Sequence, residues 1–494
     1  MTVLRQSTLR DLDPRIVVPA YDRAELTAGI AHIGVGAFHR SHQAMYVDTL
    51  LGAGLARDWA IHGLGLLAEN EEIRDALAPQ DHLYTLVPRH GDGTWEPRVI
   101  GSLTGFSHTH GDARTAIERM ADPRIRIVSL TITEGGYSID PVTGEFDPTT
   151  PQVAADLAGD AAPTTVFALV DAALARRRAA GIKPFTIMSC DNVQGNGHIA
   201  AGSFIGFAKL SDPDLAAWME DNVRFPNSMV DRITPRTTDA DRAELTDRFG
   251  VEDRWPVVCE PFTQWVLEDN FGDGRPQFED AGVQVVDDVV PYELMKLRLL
   301  NASHQSLAYP GYLVGYRMVH EVTTDPLFAG FLLDYMAGEA IPTLRPVPGI
   351  DLTAYCHQLI ERFSNPEVGD TVARLATNTS DMISKFLLPV VRANLASGGA
   401  ITRSAFVIAC WARYALGVDE QGERYEIVDA LAPQIRDAAA RQREVPTAFL
   451  DDNRALFGDQ IVDSDRFRAR YVALARSVSE RGVRATLSGL DTFE

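Results

Sequence analysis

Short β-rich runs alternate with amphipathic helical stretches through the first half of this 494-residue chain. This alternation constrains the fold most, because it is typical of a parallel sheet whose strands are connected by helices. The predicted strands are residues 30–35, 59–64, 83–88, 125–133, 185–190 and 255–260. The predicted helices between them are residues 41–51, 113–120, 164–179 and 239–249. We therefore predict an α/β fold, with a Rossmann-like, doubly wound sheet domain over residues 1–288.

Longer helical patterns dominate the second half of the chain. Residues 283–291 are predicted to form a last strand and a linker. The helical patterns that follow are residues 292–309, 326–338, 351–363, 383–396, 403–416 and 463–481. Prolines and glycines separate several of these patterns. We predict a mostly α-helical second domain over residues 289–494, and we expect the active site in the cleft between the two domains.

Charge and composition exclude several classes of function. A net charge of −22 argues against nucleic-acid binding, because a phosphate backbone requires a basic face. No run of about 18 apolar residues predicts a membrane span, and the first ten residues lack the apolar core of a secretory signal. The four cysteines are widely spaced, as expected for reduced, buried thiols. We expect a cytoplasmic protein whose partner is a small, weakly charged molecule.

A glycine pattern lies where the first predicted strand meets the first predicted helix. Gly34 and Gly36 would let the backbone turn tightly and approach a pyrophosphate, and Arg40 is placed to contact a phosphate. His39 stands where the third glycine of the pattern is expected. Glycines in such a turn also serve a purely steric role. The position of this pair at the first strand–helix turn nevertheless favours a dinucleotide cofactor.

The loop after the second predicted strand indicates whether the dinucleotide is NAD or NADP. An acidic residue is expected there to bind the adenosine ribose, and Glu69 is the best candidate. Asn70 follows it, and the first residues of the loop contain no arginine for a 2′-phosphate. NAD is therefore favoured over NADP. The alternative is that these acidic residues only favour the first turn of a helix.

A lysine, an amide and an imidazole lie close together in an otherwise apolar helical run. In a regular α-helix of about 100° per residue, Lys296, Asn301 and His304 fall within an arc of about 140°. Burying a lysine among leucines costs free energy unless the ammonium group is paired or gives up its proton, and an unprotonated lysine can act as a general base. The alternative is a lysine whose stem lies on the core while its head reaches water.

Other polar residues follow predicted strands, and carboxyl ends of strands are where ligands bind in open α/β sheets. Asn192 follows strand 185–190 and could orient a hydroxyl group, or form an ordinary turn. Asp231 and Arg232 lie in a proline-containing segment, where a local ion pair is the alternative. The histidines and cysteines show no zinc-ligand spacing, so no catalytic metal is expected. Lys296 is then the candidate proton acceptor.

These segments together resemble the polyol-specific long-chain dehydrogenases, the mannitol dehydrogenase family, over essentially the full length of the chain. Three motifs carry the resemblance. They are Gly-Val-Gly-Ala-Phe-His-Arg at residues 34–40, Phe-Pro-Asn-Ser-Met-Val-Asp-Arg-Ile-Thr-Pro at residues 225–235, and Lys296 with Asn301 and His304. Residues 131–137 and 189–192 also look like family segments.

The resemblance implies a metal-independent oxidation of D-mannitol to D-fructose with NAD, and the reverse reaction, by a monomer. It implies that Lys296 is the general base, that Asn192 and Asn301 hold the reacting oxygen, and that His304 belongs to the catalytic set. The residues implied to bind the polyol are Asp231, Arg374 and His304. The residues implied to contact NAD are Gly34, Gly36, Phe38, Arg40, Glu69, Asn70, Thr133 and Asp231.

Several alternatives stay open at this point. D-Arabinitol, D-sorbitol or a hexuronate such as fructuronate could be the substrate within the same family. Relatives can carry Glu-Asp where this chain has Glu69-Asn70, so the exclusion of NADP is open. Glu293 lies three residues before Lys296, on the same helical face, and is a candidate for relaying the proton. From another class, a catalytically silent nucleotide-binding protein would bind NADH without turnover.

Overall fold

The structure is a computed structural model that describes residues 1–140 and 143–493. The chain forms two compact units, Met1–Val289 and Val290–Glu494. The strands are β1 Thr2–Val3, β2 Ala28–Ile33, β3 Ala60–Gly65, β4 Tyr84–Pro88, β5 Arg98–Ile100, β6 Leu103–His108, β7 Ile127–Leu130, β8 Thr186–Ser189, β9 Ser228–Asp231, β10 Val251–Glu252, β11 Val257–Cys259, β12 Gln264–Glu268 and β13 Gln284–Val286.

The α-helices of the first unit are α1 Ala37–Ser41, α2 Gln43–Gly52, α3 Asn70–Leu77, α4 Ala113–Ala121, α5 Pro151–Ala158, α6 Val166–Ala179, α7 Asn196–Ser211, α8 Pro213–Asn222 and α9 Asp239–Phe249. Its 3₁₀ turns are Gln6–Asp11, Arg23–Glu25, Ala78–Gln80, Glu134–Tyr137 and Phe278–Ala281.

Among the described residues, five strands of the first unit form a parallel sheet in the order β6-β3-β2-β7-β8. The chain changes direction across the sheet between β2 and β7, and ligands of such sheets bind at the carboxyl ends beside this switch point. One face carries Ile30, Ile61 and Ile127 and packs with α2. The other carries Val128 and Leu130 and packs with α4, α6 and α7. The predicted doubly wound, Rossmann-like domain is confirmed.

The predicted membership of this sheet was wrong in two respects. The predicted strands at residues 83–88 and 255–260 correspond to β4 and β11, which pair with each other in a separate sheet with β5. The edge strand β6 was not predicted, because Gly105 interrupts its apolar pattern and most of its residues are only half-buried. In the described ranges, β9, β12 and β13 form a further small sheet.

The second unit is helical, as predicted. Its helices are α10 Val290–Met295, α11 Ala302–Leu313, α12 Val319–Thr324, α13 Pro326–Tyr335, α14 Leu352–Phe363, α15 Val372–Leu375, α16 Thr379–Phe386, α17 Leu388–Ser397, α18 Thr402–Tyr414, α19 Ala432–Arg441, α20 Ala448–Asp452, α21 Arg454–Phe457, α22 Asp459–Val462, α23 Asp465–Arg481 and α24 Val483–Ser488. The π-helical segments are Lys296–Asn301 and Met336–Ala340, and the 3₁₀ turns are Ile341–Thr343, Pro366–Val368 and Leu490–Phe493.

The apolar α18 lies at the centre of this unit and packs against α11 and α23. The predicted helix at residues 383–396 is in fact two helices, α16 and α17, which meet at Leu387, two residues before Pro389. In the described part of the chain, no helix combines the length and the apolar character needed to cross a membrane.

Candidate active site

The turn between β2 and α1 carries the two glycines of the dinucleotide pattern. Gly34 has φ +94°, and a Cβ atom on it would lie 2.0 Å from the carbonyl oxygen of Thr131. The close approach of β2 and β7 therefore requires glycine there. Among the described residues, a Cβ atom on Gly36 would meet only the Gly34 carbonyl oxygen, at 3.8 Å. Packing does not require Gly36, so its exposed backbone suits close approach by a pyrophosphate.

His39 stands where a third glycine usually lets the helix pack closely on the strand. Its ring stacks on that of His32 in β2, with centroids 3.4 Å apart and planes 13° apart. The His32 ring lies 2.8 Å from Ser129 Oγ and 3.0 Å from Thr131 Oγ1. Burial lowers the pKa of His32 to about 3, so this ring is neutral. Two stacked imidazoles thus form the contact between strand and helix.

Arg40 and Phe38 lie on α1, immediately after the glycines. The Arg40 guanidinium is buried, donates from Nε to the Gly36 carbonyl oxygen at 3.3 Å and from Nη1 to the Trp255 carbonyl oxygen, and lies over the Tyr84 ring. The buried Arg40 side chain therefore stabilises the backbone of the glycine turn. Phe38 is half-buried and stacks on His42 at 4.9 Å. Direct contact of either side chain with a cofactor stays a prediction.

Glu69 and Asn70 follow the carboxyl end of β3, as expected. The Glu69 side chain is exposed and precedes the first residue of α3. Asn70 Oδ1 accepts the backbone N–H of Leu67 at 3.0 Å and so closes the turn after the strand. An aspartate carboxylate would accept the same hydrogen bond. The turn therefore leaves Glu69 open to solvent whichever of the two residues follows it.

Asp191 was not predicted as a site residue, although it lies beside Asn192 at the end of β8. Its buried carboxylate accepts the backbone N–H groups of Ile132 at 3.0 Å and Thr133 at 2.8 Å, and the Tyr137 hydroxyl at 2.7 Å. Burial raises the pKa of Asp191, although these donors oppose the rise. Thr133 has φ +62° and ψ 169°, a region that essentially only glycine adopts and that costs about 1–3 kcal/mol.

The segment at residues 225–235 ties α7 to the end of β8. Asn196, the first residue of α7, donates from Nδ2 to the carbonyl oxygens of Asp191 at 3.0 Å and Ser228 at 2.8 Å. The Ser228 N–H donates back to Asn196 Oδ1 at 2.9 Å. Asn227 Oδ1 accepts the N–H of Gly197 at 2.9 Å. These polar side chains fix the backbone around the carboxyl edge of the sheet.

Asp231 is the last residue of β9 and is buried. The neighbouring Arg232 donates to the carbonyl oxygens of Glu260 at 3.0 Å and Ser41 at 2.7 Å. Arg232 therefore connects this segment to the end of α1. Asn192 is exposed and lies three residues after the end of β8.

The helix that carries Lys296 is not a continuous α-helix, and the prediction of one over residues 292–309 was wrong. Residues Lys296–Asn301 form a π-helical segment, in which the N–H of Ala302 donates to the Leu297 carbonyl oxygen five residues back. In such a turn, residues five apart lie on the same face, one turn from each other. Lys296 and Asn301 therefore share a face, where α-helical geometry would separate them by about 140°. Single π-turns are frequent at functional sites.

The predicted catalytic side chains of this helix are largely buried. Lys296 is 6% exposed and His304 is 8% exposed. His304 packs against the Phe363 ring at 4.8 Å, which orients its imidazole. Asn301 Oδ1 is buried and has no hydrogen-bond partner among the described residues. An orphaned buried acceptor costs about 1–3 kcal/mol, so this amide is suited to a ligand hydroxyl group.

Arg374 lies on the short helix α15, which packs against α11. Its guanidinium is half-exposed and forms a bidentate ion pair with Asp370, at 2.6 Å for both hydrogen bonds. The planar fork of the arginine is thereby held in one orientation. In the described ranges, no group of three or more His, Cys, Asp and Glu side chains is arranged to hold a metal ion.

Comparisons with known proteins identify the family. Residues 28–280 match the mannitol dehydrogenase Rossmann domain, and residues 288–478 match the mannitol dehydrogenase C-terminal domain. Mannitol 2-dehydrogenase from Phaeosphaeria nodorum is 45% identical over 476 residues, which is 96% of this chain and 83% of the relative. Mannitol 2-dehydrogenase from Pyricularia oryzae is 44% identical over 477 residues, which is 96% of this chain and 95% of the relative.

Solved structures agree with these matches. The Pseudomonas fluorescens mannitol 2-dehydrogenase ternary complex with NAD and D-mannitol is 46% identical, with a TM-score of 0.91 and coverage of 99% of this chain and 100% of that chain. A D-sorbitol dehydrogenase in substrate-free form is 39% identical, with a TM-score of 0.88 and coverage of 98% and 100%. The chain therefore belongs to the mannitol dehydrogenase family.

Proposed function

We propose that this protein is an NAD-dependent mannitol 2-dehydrogenase that interconverts D-mannitol and D-fructose. The observation that carries the proposal is the face shared by the buried Lys296 and the half-buried Asn301, in a chain whose full length resembles an enzyme solved with NAD and D-mannitol. Membership of the mannitol dehydrogenase family and the ability of a lysine to accept a proton both support this reaction. A secondary alcohol is oxidised when its carbon loses a hydride and its hydroxyl group loses a proton.

The first unit supplies residues that fit NAD. Gly34 and Gly36 would lie against the pyrophosphate, because the Gly36 backbone has room for it. The exposed carboxylate of Glu69 would accept hydrogen bonds from the adenosine ribose. Further contacts are proposed for Phe38, Arg40, Asn70, Thr133 and Asp231. Bound NAD supplies the hydride acceptor for C2 of the polyol.

Lys296 is proposed as the general base. As the hydride leaves C2, Lys296 Nζ takes the proton of the C2 hydroxyl group, and the ketone of fructose remains. The amides of Asn192 and Asn301 would donate to the developing alkoxide and, in reverse, polarise the ketone. His304 and Asp231 would hold neighbouring hydroxyl groups.

Glu293 is a proposed relay for the proton that Lys296 accepts. It is buried on α10, three residues before Lys296, and a carboxylate can pass a proton on towards solvent.

The ion pair of Arg374 bears on the choice between a polyol and a hexuronate. A hexuronate carboxylate needs an uncompensated cation, whereas the charge of Arg374 is compensated by Asp370. A paired arginine can still donate hydrogen bonds to hydroxyl groups. This pair favours a neutral polyol, so a hexuronate is the less favoured substrate.

The test is a set of initial rates with NAD and NADP on D-mannitol, D-arabinitol, D-sorbitol and, in the reducing direction, fructuronate. We expect the highest kcat/KM with D-mannitol and NAD, and fructose as the product. A higher kcat/KM with D-sorbitol or D-arabinitol would change the substrate but keep the reaction. NADH binding without turnover on any of them would contradict the proposal.

The protein is also proposed to act as a cytoplasmic monomer. The four cysteines are buried, unpaired thiols, which suits a reducing compartment. Light scattering coupled to size exclusion should give a mass near 54.1 kDa, and a mass twice as large would contradict the monomer.

A further inference from the structure

We infer that Asp191 is a positioning residue that holds the carboxyl end of β7 in the geometry needed to bind the cofactor. The inference rests on the proposed function and concerns a residue outside its catalytic set. Asp191 lies immediately before Asn192, and its buried carboxylate faces the neighbouring strand. Asp191 is inferred to act through other residues, because its carboxylate accepts hydrogen bonds from Ile132, Thr133 and Tyr137.

The carboxylate holds a segment that would not keep its shape unaided. It accepts the successive N–H groups of Ile132 and Thr133 and the hydroxyl group of Tyr137. Thr133 lies in a backbone region that suits glycine and strongly disfavours a β-branched residue. Such a conformation persists only where the surroundings enforce it. The hydrogen bonds from the successive N–H groups of Ile132 and Thr133 supply that constraint.

The same segment is joined to the glycine turn. Thr131 Oγ1 donates to the Gly34 carbonyl oxygen at 2.6 Å, and the Thr131 N–H donates to the Ile33 carbonyl oxygen at 3.0 Å. The Thr131 carbonyl oxygen also occupies the space that a side chain at Gly34 would need. A shift of residues 131–133 would therefore move the turn that is proposed to face the pyrophosphate.

The backbone of Asp191 is fixed in turn by α7. Asn196 Nδ2 donates to the Asp191 carbonyl oxygen at 3.0 Å, and the Asp191 N–H donates to Ser189 Oγ at 3.2 Å. Ser189 Oγ also lies 2.6 Å from the Tyr137 hydroxyl group. Asp191 thereby links the carboxyl ends of β2, β7 and β8, the three strands beside the switch point.

The first test is Asp191→Asn, assayed by NADH titration and by kcat with D-mannitol, well below the melting temperature of the variant. Asparagine has a similar size, but its NH₂ group would face a backbone N–H donor instead of accepting from it. We expect the Kd for NADH to rise about tenfold with native circular dichroism. Tyr137→Phe removes one donor and keeps both backbone contacts, so a smaller rise in Kd is expected.

The second test asks whether Asp191 acts through Thr133. Glycine adopts the Thr133 conformation without strain, so Asp191→Asn should raise the Kd for NADH much less in a Thr133→Gly background. The matched control is Ala56→Gly, which also replaces a residue of positive φ, here +55°. In that background the full effect of Asp191→Asn is expected.

Three outcomes separate the possibilities. Wild-type affinity and kcat in both Asp191→Asn and Tyr137→Phe would overturn the inference and leave the proposed function intact. An equal effect of Asp191→Asn in the Thr133→Gly and Ala56→Gly backgrounds would overturn the route through Thr133. Failure of the wild-type protein to bind NADH would instead overturn the proposed function, on which the inference rests.

Discussion

Buried ionisable side chains in this protein differ in how well their surroundings satisfy them. Asp191 accepts two backbone N–H groups and a hydroxyl group. Asp171 on α6 is 5% exposed, and its carboxyl group accepts a hydrogen bond from the Ser211 hydroxyl at 3.4 Å. Burial therefore raises the pKa of Asp171 to about 8. A carboxyl group in this state is neutral at neutral pH and is forced to ionise only in alkaline solution.

The raised pKa of Asp171 predicts that the free energy of unfolding depends on pH. The folded protein binds this proton more tightly than the unfolded chain, whose pKa is near 3.8. Unfolding therefore releases the proton between about pH 4 and pH 8, and the free energy of unfolding falls as the pH rises through that window. Asp171→Asn removes the titration. We expect it to raise the free energy of unfolding at about pH 9 by a few kcal/mol relative to wild type, with little change at about pH 4.

Urea unfolding at both pH values measures this effect, with the exposed Asp160→Asn as the control. A difference between wild type and Asp171→Asn that does not change with pH would contradict the assignment.

The residue scale also shows how much of the site a sequence can reveal. Lys296, Asn301 and His304 are close in sequence and stand out against apolar neighbours, so the sequence alone makes them candidate site residues, and their roles stay predictions. The role inferred for Asp191 depends on its contact with Thr133, which lies 58 positions earlier in the sequence. No local pattern distinguishes such a carboxylate from an ordinary turn residue.

At the scale of elements, local patterns predicted the existence of strands and helices better than their pairing. β4 and β11 were predicted as strands, but local apolar character did not reveal that they pair with each other outside the main sheet. The π-helical segment at Lys296–Asn301 could not be predicted either, because most residues in and after it are buried, and a run without a polar face does not distinguish a π-turn from an α-turn. Its structural consequence is that Asn301 lies on the face of Lys296.

The second π-helical segment carries a glutamate that caps another helix. Glu339 is fully buried and accepts the N–H groups of Arg403 at 2.6 Å and Ser404 at 2.9 Å, at the start of α18. Its Oε2 also accepts the Ser404 hydroxyl group. Burial raises the pKa of Glu339, although these donors oppose the rise. Its two oxygens satisfy N–H groups that have no partner within the helix. α18 packs against α11, the helix that carries His304.

We therefore predict that Glu339→Gln lowers the free energy of unfolding by about 1–3 kcal/mol, because an NH₂ group replaces one acceptor. Urea denaturation at neutral pH measures this change, with the exposed Glu444→Gln as the control. Equal stability of Glu339→Gln and wild type would show that the cap contributes nothing.

At the scale of the whole molecule, the two units carry different candidate site residues. The first carries the glycine turn, Glu69 and the strand-end residues, and the second carries Lys296, Asn301 and His304. Family membership covers both units, with matches over residues 28–280 and 288–478. The net charge of −22 is compatible with an uncharged polyol and unfavourable for a polyanionic substrate. The overall division into a sheet domain and a helical domain could be predicted from sequence, because it follows from long, repeated patterns.

The central claim is that Lys296 accepts the hydroxyl proton of D-mannitol. The most direct test is the rate of NADH formation from D-mannitol at neutral pH by Lys296→Ala, beside the exposed control Lys385→Ala and with the NADH affinity of each variant measured separately. We predict that Lys296→Ala lowers kcat about 10²- to 10⁴-fold with NADH affinity unchanged, and that Lys385→Ala behaves as wild type. Near-normal turnover by Lys296→Ala would contradict the account.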